Sequence, residues 1–198
     1  RTPKNTLLQA FQDVISDNWI GFQSNIGTLN TIEGVIDFCQ RDYFSRSPSR
    51  LTTLDLEKAF DKVDHKTLTQ TLQDQNVDKS WIKLLQDYLI GRTFQVRIGN
   101  TYTNNIHPIS AGVPQGSVWG PILLNAHVST IPTPDRRNLI MTLYADDILI
   151  AAKGLLATHN IQNLLDDTIE WTEDHNIGVN PNKCQAIFFS RRTRQPNN

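Results

Sequence analysis

Apolar residues recur at the three- and four-residue spacing of an amphipathic helix in five segments of the chain. The segments are residues 5–16, residues 28–39, two stretches between about 64 and 88, and residues 157–178. Thr28 could cap the second helix. We expect the following residues to form the apolar faces of the second, fourth and fifth helices: Leu29, Ile32, Ile36 and Cys39; Trp81, Leu84, Leu85, Tyr88 and Leu89; Ile161, Leu164, Leu165 and Ile169.

Other segments have the pattern of β-strands. Residues 51–56 form a short run of Leu and Thr that suits a buried strand. Residues 92–109 alternate apolar with polar positions around Gly99-Asn100, which predicts a hairpin, and residues 139–152 predict a second one. A last strand is expected over residues 183–190. Because strands and hairpins alternate with helices, the pattern predicts an α+β domain rather than a doubly wound parallel sheet.

The composition is that of an ordinary globular protein. The chain has 198 residues, of which 38% are hydrophobic and 20% charged, so it can bury a sizeable core as one domain with a small appended lobe. No apolar run has the length of a membrane span, and the first ten residues lack the pattern of a signal peptide. Two distant cysteines, Cys39 and Cys184, predict free thiols in a reducing compartment. Five scattered histidines give no zinc motif.

The net charge of −1 favours no class of partner, but the cations are unevenly distributed. The last twenty residues contain four cations and no acid: Lys183, Arg191, Arg192 and Arg194. A basic segment of this kind either contacts phosphate groups or forms a solvated chain end, and the sequence leaves both interpretations open.

Two adjacent carboxylates, Asp146 and Asp147, interrupt the apolar segment 139–152. One interpretation is a turn, because Asp suits the tip of a hairpin. A turn does not explain why two like charges stand side by side, since they repel each other. The other interpretation is a metal site, because Mg²⁺ binds through one or two carboxylates together with substrate phosphates. That site would need a further acid.

Asp55 is the candidate for this further acid, because it ends the predicted strand 51–56. The alternative is a helix N-cap. Between the two acidic sites lies a loop of Gly and Pro, residues 111–121, that leads into a helix with Pro121 in its first turn. Its glycines allow the backbone to approach a ligand closely, and Gln115 supplies an amide.

Five stretches in this order resemble the palm of a reverse transcriptase, most closely that of non-LTR retrotransposons of the jockey type. They read "LDLEKAFDKVDH", "RTFQVRIG", "AGVPQGSVWGPILLN", "YADDILIAA" and "GVNPNKCQAIFFS". The resemblance implies a right-hand polymerase, with an antiparallel sheet backed by helices. It implies partial fingers over residues 1–50, a palm over residues 51–190 with a fingers-like insertion at about 78–110, and a basic tail over residues 191–198 that leads toward a thumb.

The resemblance also implies a catalytic site. Asp55, Asp146 and Asp147 would bind two Mg²⁺ ions, for which Mn²⁺ could substitute, and the backbone carbonyl of Leu56 would assist. Two metals activate an attacking hydroxyl and stabilise a leaving group. Lys183 would neutralise or protonate the leaving pyrophosphate, unless it is a surface lysine.

Three further residues match positions that contact the nucleotide in the family. Phe60 matches the steric gate that excludes a 2′-hydroxyl, with a core Phe as the alternative. Gln115 and Gly116 match the loop that contacts the incoming nucleotide and the template. Departures from the family pattern leave open a diverged copy: Gln23, Trp119, His127 and Thr130.

The predicted function is therefore that of an RNA-directed DNA polymerase. Its partners would be an RNA template, a DNA primer and deoxynucleoside triphosphates, with no membrane. It would act inside the cell, in the nucleus or cytoplasm, as a ribonucleoprotein. Two alternatives are a catalytically inactive nucleic-acid-binding remnant and a reverse transcriptase of the group II intron type. The sequence does not predict the oligomeric state.

Overall fold

The computed structural model describes residues 9–11, 14, 21, 27–40, 49–135 and 137–189. Most of the predicted helix over residues 5–16 and the whole basic tail over residues 191–198 lie outside this part of the chain. The described residues divide into two compact units. The sheet unit belongs to residues 17–57 and 131–198, and the helical unit belongs to residues 1–16 and 58–130.

The α+β prediction is confirmed. The helices are α1 (Thr28–Gln40), α2 (Ala59–Lys62), α3 (His65–Asp74), α4 (Lys79–Leu89), α5 (Gly120–Val128) and α6 (Ala157–Asp174). The strands are β1 (Arg50–Glu57), β2 (Thr93–Phe94), β3 (Arg97–Ile98), β4 (Thr101–Tyr102), β5 (His107–Pro108), β6 (Leu139–Tyr144), β7 (Asp147–Ala152), β8 (Gly178–Val179) and β9 (Gln185–Phe188).

The sheet unit is built around β1, the strand predicted over residues 51–56. Its five strands are antiparallel in the order β6-β7-β1-β8, and β9 also pairs with β1. Side chains alternate between the two faces of a strand. Leu54 and Ile148 are register partners that point to one face and are almost completely buried. Helix α6 packs against β1, β6 and β7.

The opposite face of the sheet carries α1. Val35 and Cys39 of this helix pack on Leu51 and Ala151, which are register partners in β1 and β7. Asp55 lies on the same face as Leu51, four residues further along β1, because every second residue shares a face. One face of the sheet therefore holds both a small apolar core and, at its far end, the acid predicted as a ligand.

The helical unit packs α3 against α4 and α5. Asp64 caps α3, because its Oδ1 accepts hydrogen bonds from the backbone N–H and the hydroxyl of Thr67. Helix α5 is buried along nearly its whole length, and Pro121 stands in its first turn as predicted. The predicted hairpin around Gly99-Asn100 is also present, since β3 pairs with β4 there.

The predicted apolar faces were wrong in several positions. Leu29, Ile32 and Ile36 are exposed, because α1 turns Val35 and Cys39 toward the sheet instead. Gly27 rather than Thr28 precedes the first turn of this helix, and its N–H donates to Oδ1 of Asn30. Two further residues that were expected to be buried are exposed. In α4, Leu84 is exposed and Ile82 is buried; in α6, Ile169 is exposed and Thr168 is buried.

Two smaller predictions agree with the structure. Cys39 and Cys184 are free thiols. Among the helices described here, none is long and apolar enough to cross a membrane.

Two adjacent residues of α1 test which face of this helix is buried. Val35→Ala should lower the free energy of unfolding by about 2 kcal/mol, because it removes two buried methyl groups and leaves a cavity. Ile36→Ala should change it by less than about 0.5 kcal/mol, because Ile36 is exposed. Urea denaturation of both variants measures the difference, and a larger loss for Ile36→Ala would mean that the face predicted from periodicity is the buried one.

Candidate active site

The two predicted acidic sites meet at one end of the sheet. Strands β6 and β7 form the predicted hairpin, and the register places Asp147 opposite Tyr144 on one side and opposite Asp55 of β1 on the other. Asp146 occupies the turn next to Ala145, whose φ of 58° is left-handed. Asp55 lies inside β1, which continues to Glu57, so the alternative of a helix N-cap is wrong.

A backbone hydrogen bond ties the hairpin turn to β1. The N–H of Leu56 donates to the carbonyl oxygen of Asp146 at 2.8 Å. Leu56 is 1% exposed, so its side chain anchors this part of β1 in the core. The bond extends the β1–β7 pairing by one residue and fixes the backbone of Asp146 beside that of Asp55. The predicted role of the Leu56 carbonyl as a metal ligand stays a prediction.

Lys183 lies at the same end of the sheet. Its Nζ is 2.9 Å from Oδ1 and 3.2 Å from Oδ2 of Asp55. The backbone explains this position, because the N–H of Asn180 donates to the carbonyl of Asp55 and the N–H of Lys183 donates to the carbonyl of Asn180. A loop that pairs with the end of β1 therefore carries the lysine to the carboxylate. Lys183 is 63% exposed and precedes β9, so it is a surface lysine that also pairs with Asp55, and its catalytic role stays a prediction.

The charges at this end of the sheet act on one another. Partial burial raises the pKa of the Asp147 carboxyl, and the negative charges of Asp146 and Asp55 raise it further, while Lys183 opposes them. The hydrogen bond from Lys183 to Asp55 and the charge of that carboxylate raise the pKa of the lysine. Three carboxylates thus make a negative site in which one ammonium already serves as counter-ion.

This set of donors suits a hard divalent cation. Carboxylate oxygens are the preferred protein ligands of Mg²⁺, and a cation would relieve the repulsion that raises the pKa of Asp147. Within the described ranges, no group of three His, Cys, Asp or Glu side chains is placed so that it could hold a metal ion. An ion that used Asp55 would also compete with Lys183 for its oxygens.

A cleft of about 570 Å³ opens beside these charges. Asp55, Asp147 and Lys183 line it at one side, and Thr53 and Thr142 line it further along the sheet. Ile148 and Leu149 also line the cleft, so it combines charged groups at one side with apolar walls and suits a ligand that has both a charged and an apolar part.

The sequence analysis did not single out Gly21 for this site. A Cβ built on Gly21 would lie 2.6 Å from the backbone nitrogen of Ala145, so only glycine fits against the hairpin turn. Its N–H also donates to the carbonyl of Leu143 at 3.4 Å. The sequence carries a signal for this residue, because Gly21-Phe22 agrees with the family pattern and only the next residue, Gln23, departs from it.

The predicted nucleotide-contacting residues lie in the helical unit. Phe60 is half-buried in α2, and its carbonyl accepts a hydrogen bond from the N–H of Val113. Gln115 donates from Nε2 to Oδ1 of Asp61 at 3.0 Å. Gly116 has a φ of 78°, which only glycine adopts without strain, and its surroundings are open. The structure therefore joins the Gly/Pro loop to the segment that carries Phe60.

Gly112 also joins the Gly/Pro loop to the segment that follows Phe60. Its N–H donates to the carbonyl of Val63, and a Cβ at this position would lie 2.7 Å from the carbonyl oxygen of Asp61. Nε2 of His65 is 2.9 Å from the carbonyl oxygen of Gly112. The sequence did not predict this role of His65. A single histidine outside a metal-binding motif does not reveal that it will hydrogen-bond to the backbone of a residue far away in the chain.

The chain is similar to known proteins over almost its whole length. A family model described as "Reverse transcriptase (RNA-dependent DNA polymerase)" matches residues 3–196. The RNA-directed DNA polymerase from mobile element jockey of Drosophila melanogaster is 32% identical over 87% of this chain and 20% of that protein. The probable RNA-directed DNA polymerase from transposon X-element of the same organism is 30% identical over 93% of this chain and 21% of its own length.

Solved structures agree on the fold. Apo telomerase from Candida tropicalis, truncated from its C-terminal domain, superposes with a TM-score of 0.73, covering 97% of this chain and 41% of that one at 12% identity. The predicted palm fold is thereby confirmed, while the chain spans about a fifth of the length of the curated relatives that it matches. Because this family model covers almost the whole chain, the chain belongs to the reverse transcriptase (RNA-dependent DNA polymerase) family.

Proposed function

We propose that the chain carries the polymerase active site of an RNA-directed DNA polymerase, which adds deoxynucleotides to the 3′-hydroxyl of a DNA primer along an RNA template. The observation that supports this most strongly is the register of β1 and β7, which sets Asp55 opposite Asp147 with Asp146 in the adjoining turn. Membership of the family supplies the reaction type. The two relatives described above, which match most of the chain, favour neither alternative, the inactive remnant or the group II intron type.

Asp55, Asp146 and Asp147 would hold the divalent ions, Mg²⁺ by preference. The ions would supply Lewis acidity to the attacking hydroxyl and to the leaving group. The chain itself holds the carboxylates in place, through the strand register and through the bond from Leu56 to Asp146. Lys183 supplies a proton donor and a positive charge beside Asp55, where pyrophosphate would leave.

The residues of the helical unit would select the nucleotide. The half-buried ring of Phe60 would exclude a 2′-hydroxyl by its shape. Gln115 would present its amide at the loop tip, where Asp61 orients it, and the open surroundings of Gly116 would let a base or phosphate approach the backbone. Deoxynucleoside triphosphates are the substrates that these roles require.

A nucleic-acid template is the expected partner. One solved neighbour is telomerase from Candida tropicalis in complex with a fragment of telomeric RNA, at 13% identity and a TM-score of 0.70. By analogy, the proposal places this chain in a ribonucleoprotein, in the nucleus or cytoplasm. Fingers over residues 1–50, a palm over residues 51–190 and a tail leading to a thumb belong to the same proposal.

Asp146→Asn tests the polymerase and its metal site together. Incorporation of deoxynucleotides on an oligo(dT)-primed poly(rA) template with Mg²⁺ should fall more than about 100-fold, because the substitution removes a carboxylate that binds the ions. Asp167→Asn, an exposed acid on α6, is the matched control and should keep the parent rate. Equal rates for the two variants would exclude Asp146 from the site.

Asp147→Asn tests whether the charge of Asp147 destabilises the folded chain, in a stability measurement that needs no catalysis. Because the pKa of Asp147 is higher in the folded chain than in the unfolded one, ionisation opposes folding. The stability of the parent should fall as the pH rises from the unfolded pKa, about 3.9, through the raised folded pKa. The variant lacks this loss, so its Tm should exceed that of the parent at pH 7 and the advantage should disappear in acid.

Adding Mg²⁺ at pH 7 should raise the Tm of the parent more than that of Asp147→Asn, because an ion that binds the folded chain stabilises it. Two results would contradict the assignment of Asp147 as a ligand. In one, Asp147→Asn has a lower Tm than the parent at pH 7; in the other, Mg²⁺ raises the Tm of the variant as much as that of the parent.

Phe60→Val tests the selection of the sugar. The ratio of deoxynucleotide to ribonucleotide incorporation should fall about 10-fold or more, because a smaller side chain leaves room for the 2′-hydroxyl. Competition between the two nucleotides in one primer-extension assay measures the ratio. Leu84→Val, at an exposed position on α4 of the same unit, is the control and should leave the ratio unchanged. Unchanged discrimination in Phe60→Val would return this residue to a packing role.

A further inference from the structure

Residues 91–110 form an exposed two-stranded ribbon, which pairs β2 with β5 and β3 with β4. Between these short ladders, the N–H of Thr103 donates to the carbonyl of Val96 and the N–H of Val96 donates to the hydroxyl of Thr103. At the base, the N–H of Ile109 donates to the carbonyl of Arg92. The ribbon therefore has a defined backbone of its own.

The ribbon has no core. Within it, only Arg92, Thr103 and Ile109 are half-buried, and every other residue is exposed. Five large apolar or aromatic side chains are between 46% and 71% exposed: Phe94, Val96, Ile98, Tyr102 and Ile106. So many exposed side chains of this type on one narrow element indicate a surface that binds something.

The ribbon and the sequence that follows it, up to residue 134, carry no negatively charged side chain. From residue 88 to residue 134 the chain contains no Asp or Glu, although it has 20 of these residues in all. Arg92 and Arg97 lie within this stretch. The ribbon therefore combines a positive charge with nearby apolar area, which suits an anionic partner.

Cations and rings lie together on the ribbon. The guanidinium of Arg97 is 5.9 Å from the ring centroid of Tyr102, its register partner. The rings of Phe94 and His107 are stacked with centroids 5.2 Å apart and planes 28° from parallel. Exposed rings beside cations bind unpaired bases by stacking and the neighbouring phosphates by charge.

We propose that the ribbon binds single-stranded nucleic acid, with Phe94 and Tyr102 as stacking platforms and Arg97 as a phosphate contact. A symmetric contact between two copies of the chain is less suitable, because it would bring the same cations face to face. A duplex offers no free base faces for stacking. The proposed activity of the carboxylate site is not needed for this binding.

Fluorescence anisotropy of a 20-nucleotide single-stranded RNA, with EDTA and without nucleotides, tests the proposal. The double variant Phe94→Ala/Tyr102→Ala should bind at least about five-fold more weakly than the parent, because each lost stacking contact weakens binding. Leu84→Ala, an exposed apolar residue on α4, is the matched control and should bind as the parent does.

Arg97→Ala should lower the slope of log K against log salt by about one, whereas Lys83→Ala, an exposed cation on α4, should leave it unchanged. Single-stranded DNA of the same sequence should behave like the RNA, and a duplex should bind more weakly than either. Asp167→Asn, an exposed acid on α6, should bind like the parent. Because the assay contains EDTA and no nucleotides, its result is separate from a failure of the polymerase.

Parent-like binding by the double variant would overturn the proposal. Parent-like binding by Arg97→Ala, with an unchanged salt slope, would overturn the phosphate contact. Self-association of the parent in sedimentation, lost in the double variant while RNA binding persists, would assign the ribbon to contacts between copies and would also overturn it.

Discussion

Mutual repulsion between carboxylates is the constraint on which the sheet unit is built. Asp55 and Asp147 are register partners, and Asp146 stands beside them, so the chain concentrates negative charge where folding alone would disperse it. Burial of β1 through Leu54 and Leu56 and the bond from Leu56 to Asp146 provide the opposing force. Partial burial and, after it, the charges of Asp146 and Asp55 raise the pKa of the Asp147 carboxyl, and Lys183 offsets part of this effect. The stability of this end of the sheet is thus lowered by a concentration of negative charge that folding alone does not require.

Much of the sheet unit follows from local sequence. Asp55 ends an apolar strand, and Asp146 and Asp147 lie between two apolar runs. An ordinary apolar core does not accommodate unpaired acids, so the positions of these three pointed to one shared site. Strand order and register could not be derived in this way, since they depend on pairing between distant segments. The contact between Lys183 and Asp55 was equally inaccessible from spacing, because it depends on Asn180 pairing with the end of β1.

The helix faces show where periodicity stops being informative. In α1, apolar residues occupy more than one side, and periodicity alone favoured Ile32 and Ile36. The sheet selects Val35 and Cys39, since these meet Leu51 and Ala151. The ribbon shows the converse: alternation predicted its strands correctly but carried no information about burial, because the same pattern serves a half-buried strand and a surface that binds a ligand.

The close approach of Gly21 to Ala145 links two segments that are far apart in the sequence. No side chain can be added at position 21 without moving the backbone of the hairpin turn, and the turn carries Asp146 on its next residue. The constraint on position 21 comes from backbone atoms of the turn, so no change of side chain at position 145 relieves it. A library that varies residue 21 samples only displaced turns, whatever residue stands at position 145.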